Sequence, residues 1–373
     1  MSRTGICLVS GIYPPESGGP AKFTFEFSQW LTERNIANLT ITLTDFDSTT
    51  SRNGISTLIQ ISRATNLVKR YAKTALAIRR GASKKTPILA AGMFIETFIA
   101  TRFSRLRYIA KVPGDFVWER ARNNGYTDLD IESFQKTQLN FRYRIFRFIA
   151  SHALRKAHRV IVPTRQLESL CIRWGVSANK IHYIPNSVET SIFRPSQNKK
   201  SIDVISVCRL VKWKGIEELI ATAHELGLTL AIAGDGPERK NLEEYSAQHN
   251  AQVNFLGQLS QCDLVNLYHQ ARYFVLNSSY EGLSHALLEA RASGLFCIAR
   301  AQTGSEDVIY HREDGLLCGT KEFPTLKSTL EFAEKNPKFT EQCIEKSLKR
   351  TRDFFDRDTN FEKIRSLVYG SQS

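Results

Sequence analysis

The sequence predicts an α/β protein of two doubly wound domains, and three observations carry that reading. Strand-like and helix-like segments alternate from end to end, the sign of parallel sheets covered by helices on both faces. At 373 residues the chain is long enough for two domains of ordinary size, each with its own core. Two prolines and several polar turn formers interrupt the pattern between Ile184 and Lys200, and the charge balance changes near the same place. The expected division is 1–187 and 188–354, with a last helix at about 355–373.

In the first domain Thr4–Ser10 reads as an apolar, β-prone strand, Gly11–Pro20 as a loop and Ala21–Leu31 as the start of a helix. Gly18 and Gly19 allow backbone geometry closed to other residues and let a ligand come close to the main chain. Further strands are expected at Leu39–Leu43, Pro87–Ala91, Arg107–Val112, Arg159–Val162 and Ile181–Ile184, with helices between them. The longest helical region runs from about Ile131 to Ala157. In the second domain strands fall near Ile202–Cys208, Leu228–Ala233, Val253–Leu256, Tyr273–Leu276 and Leu295–Ala299, each followed by a helix-compatible segment. Neither half shows a fixed-period repeat.

Composition narrows the class. Apolar residues at 42% and charged residues at 24% are those of a soluble globular protein, and no apolar run approaches the roughly 20 residues that span a bilayer. The chain begins directly with a strand pattern, without the apolar core and small-residue cleavage site of a leader, so a cytoplasmic location is expected. Seven cysteines form no metal-ligand spacing and cannot all pair within one chain. The net charge of +14 is carried entirely by the first half: residues 1–195 hold 29 Lys and Arg against 13 Asp and Glu. Eight basic residues and no acidic one lie between Ser62 and Lys85, and a second basic stretch, Arg142 to Arg159, interleaves aromatics with arginine.

Candidate chemistry concentrates in the less basic half. Glu281 and Glu289 stand eight residues apart across a strand-to-helix junction, one in the loop and one early in the helix. A carboxylate just past the carboxyl end of a strand lies where α/β sheets bind ligands, and the N–H groups at the helix start can hold an anion there. Taken alone, the pair could equally do no more than favour the positive end of a helix dipole. Arg209 closes one strand and Lys214 precedes the next helix, so both can reach one point at the top of the sheet. Gly234 and Gly236 form a turn straight after another strand.

The run Tyr280-Glu-Gly-Leu-Ser-His-Ala-Leu-Leu-Glu289 resembles the E-x7-E motif of family 4 glycosyltransferases, retaining enzymes of GT-B fold. Other segments resemble that family in the same order: the glycine-rich first loop with Gly18 and Gly19, the Arg209 and Lys214 diphosphate clamp, and the G-x-G-P turn at Gly234 and Gly236. Asn254–Ser260 is similar to the segment along the nucleobase, with Gln258 and Leu259 as contacts, and Arg300–Leu317 resembles the closing loop, with Gly304 and Glu306. For Glu306 a plain βα loop with a Glu at a helix start is the competing reading.

The resemblance implies two Rossmann-like domains facing each other across a cleft, with the last helix packed back on the first. It implies transfer of a hexosyl group, with retention, from a nucleoside-diphosphate sugar to a hydroxyl acceptor, with no metal and no cofactor. Arg209 and Lys214 would stabilise the leaving diphosphate, Glu289 would hold the ribose, and Glu281 with the backbone of Leu283 and Ser284 the donor sugar. Many family members carry a mid-domain His where this chain has Asp115 after Pro113-Gly114; Asp115 either replaces it as a polar contact or begins a turn. Asp128-Leu129-Asp130 has the spelling of a metal motif but lies in a polar loop. A lipid-linked or glycan acceptor is expected, with the basic half on an anionic membrane surface at its inner face. The alternatives are a nucleotide-sugar epimerase of the same fold and a basic nucleic-acid-binding protein; nucleic acid is not the expected partner, since it leaves the ordered motifs unexplained.

Overall fold

The computed structural model describes residues 5–16, 18–82 and 86–370. The chain divides into two compact units, one running to Pro185 and resuming at Phe361, the other Asn186–Asn360. The first unit holds eight strands: β1 (Ile6–Ser10), β2 (Asn38–Thr44), β3 (Thr49–Asn53), β4 (Ser56–Ser62), β5 (Ile88–Ala91), β6 (Tyr108–Lys111), β7 (Arg159–Val162) and β8 (Ile181–Tyr183). They form one sheet in the order β3-β4-β2-β1-β5-β6-β7-β8, parallel except for β3 on β4.

All five residues of β1 are buried, as expected of a central parallel strand with helices on both faces. The helix Gly19–Glu33 follows Gly18, whose φ of 152° suits glycine, and carries Pro20 in its first turn, where a missing N–H costs nothing. Its Phe23, Phe27 and Trp30 recur on one face and are buried. Phe361, from the last helix Arg357–Tyr369, packs edge-on against all three at centroid distances of 5.9, 5.1 and 5.9 Å. Each such pair adds about 0.5–1.5 kcal/mol beyond area burial, so the terminal helix is firmly held in this core.

The second unit holds β9 (Ile202–Val207), β10 (Leu230–Ala233), β11 (Val253–Gly257), β12 (Ala271–Leu276), β13 (Phe296–Arg300) and β14 (Leu316–Cys318), all parallel, in the order β11-β10-β9-β12-β13-β14. Along β12, Phe274 and Leu276 enter one apolar cluster while Tyr273 and Val275 enter another, so both faces are covered. In each unit strand order reverses once, between β1 and β5 and between β9 and β12. Ligands of open α/β sheets bind outside the carboxyl ends of the strands at such a reversal.

Three local expectations change. The antiparallel hairpin β3-β4 is absent from the sequence reading; β3 is exposed along its whole length, so it lacks the apolar alternation that marks a strand. The expected helix from Ile131 to Ala157 is two, Ile131–Lys136 and Phe141–Lys156, because Asn140 adopts an extended backbone and its side chain accepts from Tyr143 N–H at 3.1 Å. The short edge strand β14 is additional, and Thr4, placed in the first strand by sequence, lies outside the described residues. In the first unit the helices Leu67–Gly81, Phe94–Thr101 and Phe141–Lys156 pack side by side. Phe141 and Phe148 are 75% and 65% exposed there, while Tyr143 and Phe146 are half-buried. Among the described residues no helix is long and apolar enough to cross a membrane.

Candidate active site

At the β9/β12 reversal two sequence-distant residues meet. After β9 the chain makes a short turn at Lys212–Lys214, and Gly215, with φ 63°, starts the helix Ile216–Glu225. A side chain on Gly215 would come within 2.5 Å of the Asn277 carbonyl oxygen, so only glycine lets the two strand ends approach this closely. After β12 the chain passes through Ser279, whose N–H donates to Trp213 O at 2.8 Å, and reaches Glu281. Lys214 Nζ then lies 2.5 Å from Glu281 Oε1, both side chains largely buried.

Arg209 is placed by glycines. The turn at Gly234 and Gly236 lies directly on the 208–210 backbone: Cys208 N–H donates to Ala233 O at 3.1 Å, Leu210 N–H to Asp235 O at 2.9 Å, and Glu238 N–H to Leu210 O at 3.1 Å. A Cβ on Gly234 would be 1.9 Å from Cys208 O, and one on Gly236 would be 2.3 Å from Leu210 O. These glycines thus serve close backbone packing, which presents Arg209 outward. Arg209 is exposed, and its guanidinium has no ion-pair partner among the described residues.

The helix His285–Ala292 is capped by Ser284, whose hydroxyl accepts from Leu287 N–H at 3.2 Å. Leu283 is buried, and its carbonyl accepts from Asn186 Nδ2 at 2.9 Å. The N–H groups of Gly282, Leu283 and Ser284 have no acceptor among the described residues, so the loop presents donors where the helix dipole is positive. Glu289 is buried within the helix and accepts from Tyr268 Oη at 2.9 Å through Oε2. Burial pushes the Tyr268 phenol well above its ordinary value, which keeps it a proton donor to that carboxylate.

The loop after β13 joins through Glu281 N–H, which donates to Thr303 O at 2.9 Å. Glu306 points back into its own loop, accepting from Gly304 N–H at 3.1 Å, Thr303 N–H at 3.4 Å and Gln302 N–H. Its first task is to shape that turn, with Gly304 at φ 92°. Gln258 is exposed just past the carboxyl end of β11, and Leu259 packs against the core beneath it.

In the first unit Gly18 and Gly19 sit after β1, at that sheet's reversal, both exposed. Asp115 is 0% exposed and caps the helix Phe116–Asn123: Oδ1 accepts from Val117 and Trp118 N–H at 3.1 and 3.0 Å, and Oδ2 from Gln135 Nε2 at 2.5 Å. Of the two sequence readings, this is the turn-forming one, and burial pushes its carboxyl up to about 6. Asp130 likewise caps Ile131–Lys136 while Asp128 pairs with Arg122. Among the described residues no group of three or more His, Cys, Asp or Glu is arranged around a common point for a metal.

Sequence reasoning missed Asn277, Tyr268 and Lys111. Asn277, read only as a strand breaker, is buried at the end of β12; its Nδ2 donates to Gly215 O at 2.9 Å and Glu218 Oε2 at 3.0 Å, and its Oδ1 accepts from Arg300 Nη2 at 2.8 Å. It ties together the three elements that carry Lys214, Glu281 and the Gly304 loop. A polar residue directly after an apolar strand was its only signal. Lys111, at the end of β6, is buried 4.5 Å over the Phe23 ring, and burial pulls its ammonium down to about 7.

Known proteins resemble this chain in sequence and in fold. Residues 187–350 match the family described as Glycosyl transferases group 1, and residues 96–187 match the Glycosyl transferase 4-like domain. The chain is 30% identical over 187 residues to one component of the human phosphatidylinositol N-acetylglucosaminyltransferase, covering 48% of this chain and 38% of that protein. It is 30% identical over 171 residues to a GDP-mannose-dependent alpha-mannosyltransferase of Corynebacterium glutamicum, covering 45% and 40%. The matches thus span well under half the length of these relatives. Among solved structures, sucrose-phosphate synthase of Thermosynechococcus elongatus superposes with a TM-score of 0.79 at 19% identity, covering 98% of each chain. Anabaena HepE in complex with UDP-glucose gives 0.75 at 16% identity, covering 98% of this chain and 100% of that one. Both likenesses establish the fold.

Fold and family matches together relate the chain to the glycosyltransferases of GT-B fold. Within that class the chain is related to the group 1 glycosyltransferases and to family 4.

Proposed function

We propose that this protein transfers a hexosyl group, with retention of configuration, from a nucleoside-diphosphate sugar to a hydroxyl acceptor. The observation that carries the reading is the Lys214–Glu281 pair at the β9/β12 reversal, flanked by the outward Arg209 and by the unengaged N–H groups at Gly282–Ser284. Fixed cations beside a departing diphosphate stabilise the transition state more than the ground state. In this scheme the anomeric C–O bond breaks with its electron pair leaving on the diphosphate, to which Arg209 and Lys214 are directed. The acceptor oxygen attacks from the same face, and its proton passes to the departing diphosphate oxygen. Glu281 holds Lys214 in place and faces the sugar, while Glu289, fixed by Tyr268 through Oε2, is the residue assigned to the ribose. Positive charge comes from side chains, so the reaction needs no metal ion. The relatives that use GDP-mannose or act on phosphatidylinositol support a sugar nucleotide as donor and a lipid-linked or glycan intermediate as acceptor.

The basic first unit would hold the enzyme on the anionic inner face of a membrane. Val68, Phe103, Phe141 and Phe148 are exposed among its Lys and Arg residues, a mixture that suits a lipid surface better than nucleic acid. Two measurements test the proposal. A thermal-shift screen of UDP-, GDP- and dTDP-sugars should single out one nucleotide, followed by product formation with retained anomeric configuration; no stabilisation by any of them refutes it. Flotation with vesicles rich in anionic lipid, and not with neutral ones, tests the membrane surface.

A further inference from the structure

The helix Phe141–Lys156 borders a groove of about 750 Å³ in the first unit, within the range of small-molecule sites. Its cationic wall is Arg144, Arg147, Arg155 and Arg173, and its apolar wall includes Ile145, Phe148 and Trp174. Arg173 pairs with Glu132 at 3.0 Å. Arg144, Arg147 and Arg155 have no ion-pair partner among the described residues, and the Nε of Arg155 is buried without a hydrogen bond. Asp115 also lies within reach of the charges of Arg147 and Arg173, but its oxygens are taken up by the helix cap and by Gln135. Gln135 also accepts from Trp174 Nε1 at 3.3 Å, so the groove floor is tied to the carboxyl end of β6, where such sheets present ligand sites.

Several guanidiniums along one groove whose lining holds no carboxylate repel one another, and a bound polyanion relieves that repulsion. The planar guanidinium fork matches phosphate oxygens two at a time. Phe148 and Ile145 stand exposed beside the cations, which simple phosphate capture would not require.

We propose that this groove binds the diphosphate of a lipid-linked acceptor, its oxygens on Arg144, Arg147 and Arg155 and the first units of its apolar chain on Phe148, Ile145 and Trp174. The assignment deepens the transferase reading and rests on it, since it places the acceptor's anchor on the first unit.

Isothermal titration calorimetry of the full chain tests it with geranyl diphosphate, inorganic diphosphate and geraniol. The titrations are carried out in the Arg209→Ala background, so that the donor site does not compete. Geranyl diphosphate should bind more tightly than inorganic diphosphate, and geraniol should not bind. Arg144→Gln with Arg147→Gln should weaken both diphosphates by at least about tenfold, the effect of losing one or two charge-assisted hydrogen bonds. Phe148→Ala, in a chain whose melting temperature is unchanged, should bring geranyl diphosphate down to the affinity of inorganic diphosphate. Equal affinity in the wild-type groove and the double Arg variant overturns the proposal. So does a double variant that loses only flotation with anionic vesicles, which would make the face a general membrane surface. Binding of the donor nucleotide, measured with Arg209 intact, reports separately on the transferase reading: if it persists while the groove binds no diphosphate, the acceptor groove is refuted and that reading stands.

Discussion

The turn that presents Arg209 can be broken in a graded way. Gly227 and Gly234 both have positive φ, 65° and 124°, but a Cβ on Gly227 meets nothing within 4 Å, whereas one on Gly234 lies 1.9 Å from Cys208 O. Gly227→Ala therefore carries only the backbone penalty of a left-handed residue, about 1–2 kcal/mol. Gly234→Ala carries a comparable backbone penalty, and the Cβ–O gap must also open by about 1.1 Å to reach the 3.0 Å at which real contacts begin. Overpacking of that kind adds about 1–3 kcal/mol. At about 2–4 °C per kcal/mol for a unit of this size, Gly227→Ala should lower the melting temperature of the second unit by about 2–8 °C, and Gly234→Ala by more. The gap opens by moving the 208–210 backbone, and with it Arg209; a displacement of about 1 Å at a catalytic group can cost on the order of 10² in rate. Calorimetric melts with and without the donor nucleotide, followed by steady-state kinetics, read both effects. The reasoning is refuted if Gly234→Ala melts no lower than Gly227→Ala, or if it keeps wild-type nucleotide affinity and kcat.

Arg209→Ala and Glu289→Ala should each lower turnover with the true donor by about 10²–10³ in a folded protein; wild-type rates in both would exclude the donor-site assignment. Activity should persist in excess EDTA, and recovery of a stripped enzyme only with Mg²⁺ or Mn²⁺ would contradict metal-independent transfer. Asp115 predicts a pH effect on stability: with its folded pKa raised from 3.8 to about 6, the folded state keeps a proton that the unfolded chain releases. Stability from this group is therefore full below pH 4, falls by about 3 kcal/mol as pH rises to about 6, and is level above. Urea unfolding at pH 4, 5, 6 and 7 should show that slope in wild type and its loss in Asp115→Asn, which can still cap the helix; identical slopes would rule it out.

Much is legible from sequence because it depends on short-range chemistry. Apolar runs at strand spacing, helical faces such as Phe23, Phe27 and Trp30, and the order of glycines and charges are properties of neighbouring residues. The Asn53-Gly54 dipeptide is a readable hairpin signal, masked by the polarity of β3, and Asn140 is a readable helix start inside an otherwise helical run. What only the tertiary structure decided depends on long-range pairing. Lys214 and Glu281 are 67 residues apart in the chain and meet because β9 pairs with β12 rather than with β10 alone. Asn277 becomes a junction for the same reason, since local propensity carries no information about which strand lies alongside. Burial is decided last: it turns Asp115 inward onto a helix cap and leaves Phe141 and Phe148 outward, because each side chain's exposure depends on which elements pack over it.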